Sequence, residues 1–147
     1  MSRQPPARPV TPEQPVPELL VVLPARARGA SEARHRLGGW LQDLNWPRAA
    51  RADILLAVYE ALANVVDHAY PAEVTGRLQL YARQPIEARQ RRIIAVVTDS
   101  GRWTPPRTEP GSRGRGLLMM ASCADRLLVQ PGPGGTTVTL TSLAVPA

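Results

Sequence analysis

The stretch Glu60-Ala-Leu-Ala-Asn64-Val-Val-Asp67-His68-Ala-Tyr70 determines how the rest of the chain is interpreted. Glu60, Asn64 and His68 are spaced four residues apart, so on a helix they form a polar stripe along one face. The residues between them are mostly apolar, which places the stripe in a helix of core-like composition. Buried polar groups need hydrogen-bonding partners, and a bound ligand is one source of them.

The segments around this helix have periodicities that predict an α+β fold. The predicted elements are a strand Leu19–Leu23, a helix capped by Ser31, a helix from about Arg48 to Ala69, strands Leu78–Arg83 and Ile93–Thr98, a helix Leu117–Ala124, and strands Arg126–Gln130 and Thr136–Ser142. Their order predicts a two-layer sandwich, in which the helices pack on one face of a mixed, mostly antiparallel sheet. The nearly continuous apolar run Ile93–Thr98 predicts a central strand.

The N-terminal end and the longest loop of the chain differ in composition from the rest. Residues 1–17 contain six prolines and few apolar groups, so they predict a disordered tail, with the folded domain over residues 18–147. Residues 102–115 form a loop rich in Pro, Gly and Arg. A loop of that length inside a compact domain is typical of a functional segment.

Composition narrows the class of protein. The chain has 147 residues, 44% hydrophobic residues and a net charge of +6, with arginine for all of its 18 basic residues. These arginines are scattered, and no basic helix with interleaved aromatics appears, so nucleic-acid binding is not expected. The single Cys123 lies in an apolar helical run and predicts a buried, inert thiol. With neither a leader nor a long apolar span, the chain is expected to be cytoplasmic and to bind no membrane.

Three further segments have the composition of a nucleotide site, although each also has a simpler explanation. Asp99 at a strand end can accept a hydrogen bond from an exocyclic amine, and Gly101 lets a flat ring approach the backbone, but a turn aspartate is the alternative. Gly111–Leu117 is a glycine-rich loop that enters a helix, whose free N–H groups favour phosphate. Gly134-Gly135-Thr136 can equally be a hairpin turn.

Glu60 and Asn64 have side chains suited to phosphoryl transfer. Asn64 can supply an oxygen ligand to Mg²⁺, and Glu60, one turn earlier, can act as a general base. Satisfied polar residues in a packed helix are the alternative for both. His68 is interpreted as structural, because no partner for it is evident in the sequence.

In this order, the segments resemble the ATP-binding (Bergerat) domain shared by histidine kinases, gyrase-type topoisomerases and heat-shock chaperones, the GHKL superfamily. They are most similar to its anti-sigma-factor serine/threonine kinase branch. The resemblance covers residues 18–143 and rests on four boxes, namely Glu60–Tyr70, Asp99-Ser-Gly101, Gly114-Arg-Gly116-Leu and Gly135-Thr136. The chain differs from the fuller adenine box of the superfamily at Trp103, where that box has a glycine. This difference affects the expected geometry of the lid.

The resemblance implies a role for each residue of these boxes. Glu60 would be the base, Asn64 the Mg²⁺ ligand, and Asp99 the adenine acceptor, with Gly101 and Thr136 beside it. Gly114, Arg115, Gly116 and Leu117 would hold the phosphates, and residues 102–113 would form the ATP lid.

The function implied is that of a Mg²⁺- and ATP-dependent kinase that phosphorylates an anti-sigma-factor antagonist and sequesters a sigma factor. A homodimer is a further expectation, since members of this branch often form one. Two alternatives come from other classes of protein. One is a non-catalytic module in which ATP orders the lid for a partner. The other is a basic DNA-binding regulator, whose binding would fall steeply with salt.

Overall fold

The computed structural model describes residues 15–101 and 115–147, and these form two layers. The strands are Glu18–Pro24 (β1), Arg77–Arg83 (β2), Ile86–Glu87 (β3), Gln90–Arg91 (β4), Ile94–Asp99 (β5), Arg126–Gly132 (β6), Gly135–Thr141 (β7) and Val145–Pro146 (β8). The helices are Ala27–Asp43 (α1), Arg48–Asn64 (α2) and Arg115–Cys123 (α3), and a π-helical turn, Val65–Ala69, continues α2.

The main sheet has five strands in the order β1-β2-β5-β7-β6. The predicted α+β sandwich is confirmed, and β5 is the central strand, as expected. Every pairing between the described strands is antiparallel, so the parallel component of the predicted mixed sheet is absent from this part of the chain. A small second sheet, β3-β4-β8, was not predicted, because its strands have only two residues each.

The core lies between the helices and one face of the main sheet. Leu37 and Leu41 of α1 and Leu62 of α2 are fully buried, as are Leu78 and Leu80 of β2. On each strand these inward residues alternate with exposed or half-buried ones, the pattern of a sheet covered on one face. The core therefore anchors α2 and β5, the two elements that carry Glu60, Asn64 and Asp99.

Two local predictions are wrong. Helix α1 begins at Ala27 with Arg26 as its N-cap, not at a Ser31 cap, and Arg26 makes no side-chain capping bond. Ala30 and Ala33 are buried, so packing against the core extends the helix one turn beyond the expected start. Cys123 is half-buried instead of buried.

Candidate functional site

Glu60 and Asn64 lie side by side at the end of α2. Both side chains are half-buried, and neither makes a hydrogen bond or an ion pair with any residue in the described ranges. Directly after Asn64 the helix widens into the π turn Val65–Ala69. Such turns within α-helices are rare and are often found at functional sites. The spacing predicted this polar pair, whereas the wider turn after it has no sequence signal.

Gly116, in the first turn of α3, packs against this pair. A Cβ built on Gly116 would lie 3.2 Å from Glu60 Oε2 and 3.9 Å from Asn64 Nδ2. The glycine is buried, so there is little space between α3 and the two polar side chains. The first N–H groups of α3, which have no partner within the helix, therefore begin next to a carboxylate and a carboxamide. The fold thus brings together one predicted phosphate-loop residue and both predicted helix residues.

Asp99 ends β5 and is 8% exposed. Its Oδ1 accepts hydrogen bonds from the N–H of Gly101 at 2.9 Å and from the N–H of Thr136 at 3.3 Å. No residue in the described part of the chain donates a hydrogen bond to Oδ2. The carboxylate is thus held by two backbone donors through one oxygen, which leaves the other oxygen to accept from a ligand.

Thr136, at the start of β7, places a buried hydroxyl beside Asp99. Its Oγ1 has no hydrogen-bonding partner among the described residues, although the residue is only 4% exposed. A buried hydroxyl without a partner costs about 1–3 kcal/mol, so an isolated one in a core is uncommon. A partner supplied by a bound molecule would account for its presence.

Two glycines allow these segments to approach one another. Gly135 has a φ of +133°, and a Cβ there would overlap the Asp99 carbonyl oxygen. A Cβ on Gly101 would overlap the carbonyl oxygen of Ala69, the last residue of the π turn. The sequence predicts that Gly101 admits a flat ligand ring. In the structure, the Ala69 carbonyl lies where a Cβ would be, so the end of the π turn by itself also requires a glycine at this position.

Tyr70 is a residue that the sequence argument did not include in the site. Its hydroxyl donates to the Arg77 carbonyl at 2.7 Å and accepts from the Ser100 N–H at 2.8 Å. The ring thereby ties the end of the π turn both to β2 and to the segment that follows Asp99. Its position at the end of the polar helix, before Pro71, was the available signal, but nothing in the sequence identifies its partners.

The remaining predicted residues are not part of these contacts. His68 is exposed, and its side chain makes no hydrogen bond or ion pair within the described ranges. Leu117 is half-buried against the core. Gly114, Trp103 and the predicted lid, residues 102–113, lie outside the described residues, as do most of the predicted disordered tail and the side chain of Arg115.

Comparison with known proteins gives the family. Residues 23–142 match the family model of the histidine kinase-like ATPase domain, which is most of the chain. The chain belongs to the histidine kinase-like ATPase family. Membership of this family implies that it binds a nucleotide.

A solved structure similar to this chain is that of the RsbU and RsbW domains of Rv1364c from Mycobacterium tuberculosis. The two share 30% sequence identity with a TM-score of 0.68, over 90% of this chain and 34% of that one. The chain thus spans about a third of the length of that protein. The predicted resemblance to the anti-sigma-factor kinase branch of the superfamily is confirmed.

The residues present fit a nucleotide with a metal ion. Asp99 Oδ2 and Thr136 Oγ1 are polar atoms that can bind the nucleobase of a nucleotide, and the N–H groups at the start of α3 can bind its phosphates. Within the described ranges, no three His, Cys, Asp or Glu residues are grouped to hold a metal. A lone Asn64 oxygen suits Mg²⁺, which often takes few protein ligands and completes its shell with phosphate and water.

None of the helices in the described ranges is both long and apolar enough to span a bilayer.

Proposed function

We propose that this chain is a protein serine/threonine kinase that uses Mg·ATP to phosphorylate an anti-sigma-factor antagonist, and that it also sequesters a sigma factor. The observation that carries the proposal is the contact of Gly116 with Glu60 and Asn64. It gathers a carboxylate, a carboxamide and a helix N-terminus at one place, and these groups would serve as the general base, the metal ligand and the phosphate site that phosphoryl transfer requires.

Each residue would have a separate task in this reaction. Asp99 Oδ2 would accept a hydrogen bond from the exocyclic amine of adenine, and Thr136 Oγ1 would bond on the same side. The N–H groups at the start of α3 would hold the phosphates. Asn64 Oδ1 would ligate Mg²⁺, which neutralises the charge on the transferred group.

Glu60 would act on the acceptor and not on the nucleotide. Its carboxylate would take the proton from the serine or threonine hydroxyl of the antagonist as that oxygen forms a bond to the γ-phosphorus. The bond from the γ-phosphorus to the β,γ-bridging oxygen would break in the same step, with ADP as the leaving group. Within the described ranges, no hydrogen bond or ion pair engages the Glu60 side chain, and this supports the role. The similarity to the RsbU and RsbW domains supports the choice of an antagonist as acceptor.

The decisive experiment incubates the protein with γ-labelled ATP, Mg²⁺ and candidate antagonist domains from the same genome. Wild type should label one antagonist on serine or threonine. Glu60→Gln keeps the shape of the side chain but loses the base, so we expect ATP affinity to be nearly unchanged and labelling to fall by roughly 10²- to 10⁴-fold. Labelling at the wild-type rate by Glu60→Gln would show that the base is a different residue.

Asn64 provides a matched pair of variants for the metal. Asn64→Ala removes the oxygen ligand, so Mg²⁺-dependent ATP affinity and labelling should both fall. Asn64→Asp retains an oxygen at the same place and should keep more of both. If wild type binds ATP and a sigma factor tightly but labels no acceptor, the chain is the non-catalytic module.

A further inference from the structure

Apolar side chains are exposed beside Glu60, where helices α2 and α3 pack. Leu56 of α2 is 39% exposed, and Met119 of α3 is 37% exposed. Leu118, which precedes Met119, is 72% exposed, more than any other large hydrophobic residue in the described ranges. These three side chains are called the α2–α3 patch below. Apolar side chains that are grouped on a surface, unlike single ones, indicate a binding site.

The direction in which α3 crosses α2 determines where the patch lies. Gly116, in the first turn of α3, faces Glu60 and Asn64 near the end of α2. The last turn of α3 instead faces the middle of α2. A small cavity there is lined from both helices, by Cys123, Ala124, Ile54, Ala57 and Val58. The two helices therefore run antiparallel.

Helical spacing places Leu56 and Met119 opposite each other across this interface. Leu56 precedes Glu60 by four residues, and Met119 follows Gly116 by three, so each lies one turn along the same face of its helix. Because the helices are antiparallel, one turn back along α2 corresponds to one turn forward along α3. The patch therefore begins about 6 Å from Glu60 along the helix axis.

The charge beside the patch is negative. Asp53 is exposed and precedes Leu56 by three residues, so Asp53, Leu56 and Glu60 form a stripe on one face of α2. Neither carboxylate makes an ion pair with a residue in the described ranges. Arg48 and Arg51 of the same helix line a groove on its other side, against α1. A segment bound along the stripe would therefore be apolar at Leu56 and basic at Asp53.

From this arrangement we infer that the α2–α3 patch is the docking surface for the polypeptide segment that carries the phosphoacceptor hydroxyl. The inference rests on the proposed function, because a hydroxyl that reaches Glu60 brings its neighbouring residues onto the surface one turn away. Two residues of an extended segment span about 6.6 Å, and four residues of a helix span about 6 Å. The acceptor should therefore carry an aliphatic side chain two residues, or one helical turn, from its phosphorylated serine or threonine, with a lysine or arginine beyond.

The first test measures the KM for the antagonist and the affinity for ATP separately. Leu56→Gln combined with Met119→Gln keeps long side chains with good helix propensity and adds no charge beside Glu60. This double variant should raise the KM for the antagonist by roughly tenfold or more, because burial of large apolar side chains contributes at least that much to affinity. Its ATP affinity, measured by calorimetry, should equal that of wild type.

Leu128→Gln is the matched control for this experiment. Leu128 is 52% exposed, but it lies on β6, where its neighbour Leu127 packs against the core. Successive residues of a strand point to opposite faces, so Leu128 points away from the helices. The control should leave the KM for the antagonist unchanged. Leu118→Gln, at the most exposed position of the patch, should raise this KM even if the double variant fails to fold.

The second test exchanges charges between the two proteins. Each residue within four positions of the phosphorylated one is replaced in the antagonist, to find the basic residue that faces Asp53. Asp53→Arg should raise the KM for the wild-type antagonist by roughly threefold to fivefold, as expected for an exposed ion pair. An antagonist with glutamate in place of that basic residue should be preferred by Asp53→Arg and disfavoured by wild type. A purely structural effect of Asp53→Arg would not reverse the preference.

Four results would overturn the docking surface, and they have different consequences. An unchanged KM in a double glutamine variant that still labels the antagonist would leave the kinase proposal intact. A fall in ATP affinity in that variant would assign the patch to the nucleotide side, and a loss of self-association in sedimentation would assign it to a second copy of the chain. If wild type neither labels nor binds any antagonist, the proposed function fails together with this inference.

Discussion

Replacing Gly116 by alanine would place one methyl group between α3 and the polar pair of α2. The new Cβ would lie 3.2 Å from Glu60 Oε2, which requires the carboxylate to move by a few tenths of an ångström, and at ordinary contact distance from the Asn64 amide. The carboxylate ends a flexible side chain, so this movement costs little. Alanine is about 0.5–1 kcal/mol more favourable than glycine in a helix. We therefore expect the free energy of unfolding to stay within about 1 kcal/mol of wild type.

Function should respond more strongly than stability. The methyl group would occupy the space between the helix N–H groups and the two side chains proposed to serve the phosphates and the acceptor. A misplacement of about 1 Å in a reacting group can cost roughly 10²-fold in rate, so a displacement of a few tenths of an ångström in Gly116→Ala should lower phosphoryl transfer by roughly 3- to 10-fold. The assay is transfer from labelled ATP, measured beside chemical denaturation of the same preparation.

Gly39→Ala is the matched control for this experiment. Gly39 lies on the exposed side of α1, and a Cβ there would meet nothing within 4 Å. The same gain in helix propensity should therefore appear without any change in transfer. Wild-type transfer by a folded Gly116→Ala protein would refute the close arrangement of Gly116, Glu60 and Asn64 as the reaction site.

Three further substitutions test the proposed adenine site and the contacts beside it. Asp99→Asn turns one acceptor oxygen into a donor, so ATP affinity measured by calorimetry should fall greatly. An unchanged affinity in a folded variant would show that adenine does not bind at Asp99. Thr136→Val removes the hydroxyl that lacks a partner among the described residues, so the free energy of unfolding without nucleotide should rise by about 1 kcal/mol, and ATP affinity should fall. A lower free energy of unfolding would indicate that the hydroxyl already has a partner in the free protein. Tyr70→Phe removes two hydrogen bonds, so the free energy of unfolding measured by urea denaturation should fall by about 1–3 kcal/mol. Equal stability of the variant and wild type would contradict the proposed link between the π turn and Ser100.

The sequence alone was sufficient for the features that depend on neighbours along the chain. Periodicity predicted the helix that carries Glu60 and Asn64 and the central strand that ends at Asp99, because both are long, strongly patterned segments. The four-residue spacing was sufficient to place Glu60 and Asn64 together, since a helix turns once in 3.6 residues. The order of the boxes was sufficient for the family.

Only the tertiary structure decided which distant residues meet. Thr136 reaches Asp99 across 37 positions because β5 pairs with β7, an arrangement that no local pattern specifies. Gly116 contacts Glu60 because α3 packs on α2. Helix α1 begins at Ala27 because burial of Ala30 and Ala33 stabilises an extra turn more than a Ser31 cap would stabilise a later start. Tyr70 links β2 to Ser100, the residue that follows β5, through a single hydroxyl, and its partners became evident only in the folded chain. Long-range contacts of this kind depend on the packing of the whole sheet and its helices. Periodicity and spacing are local properties of the sequence, so they do not predict which distant residues form the site.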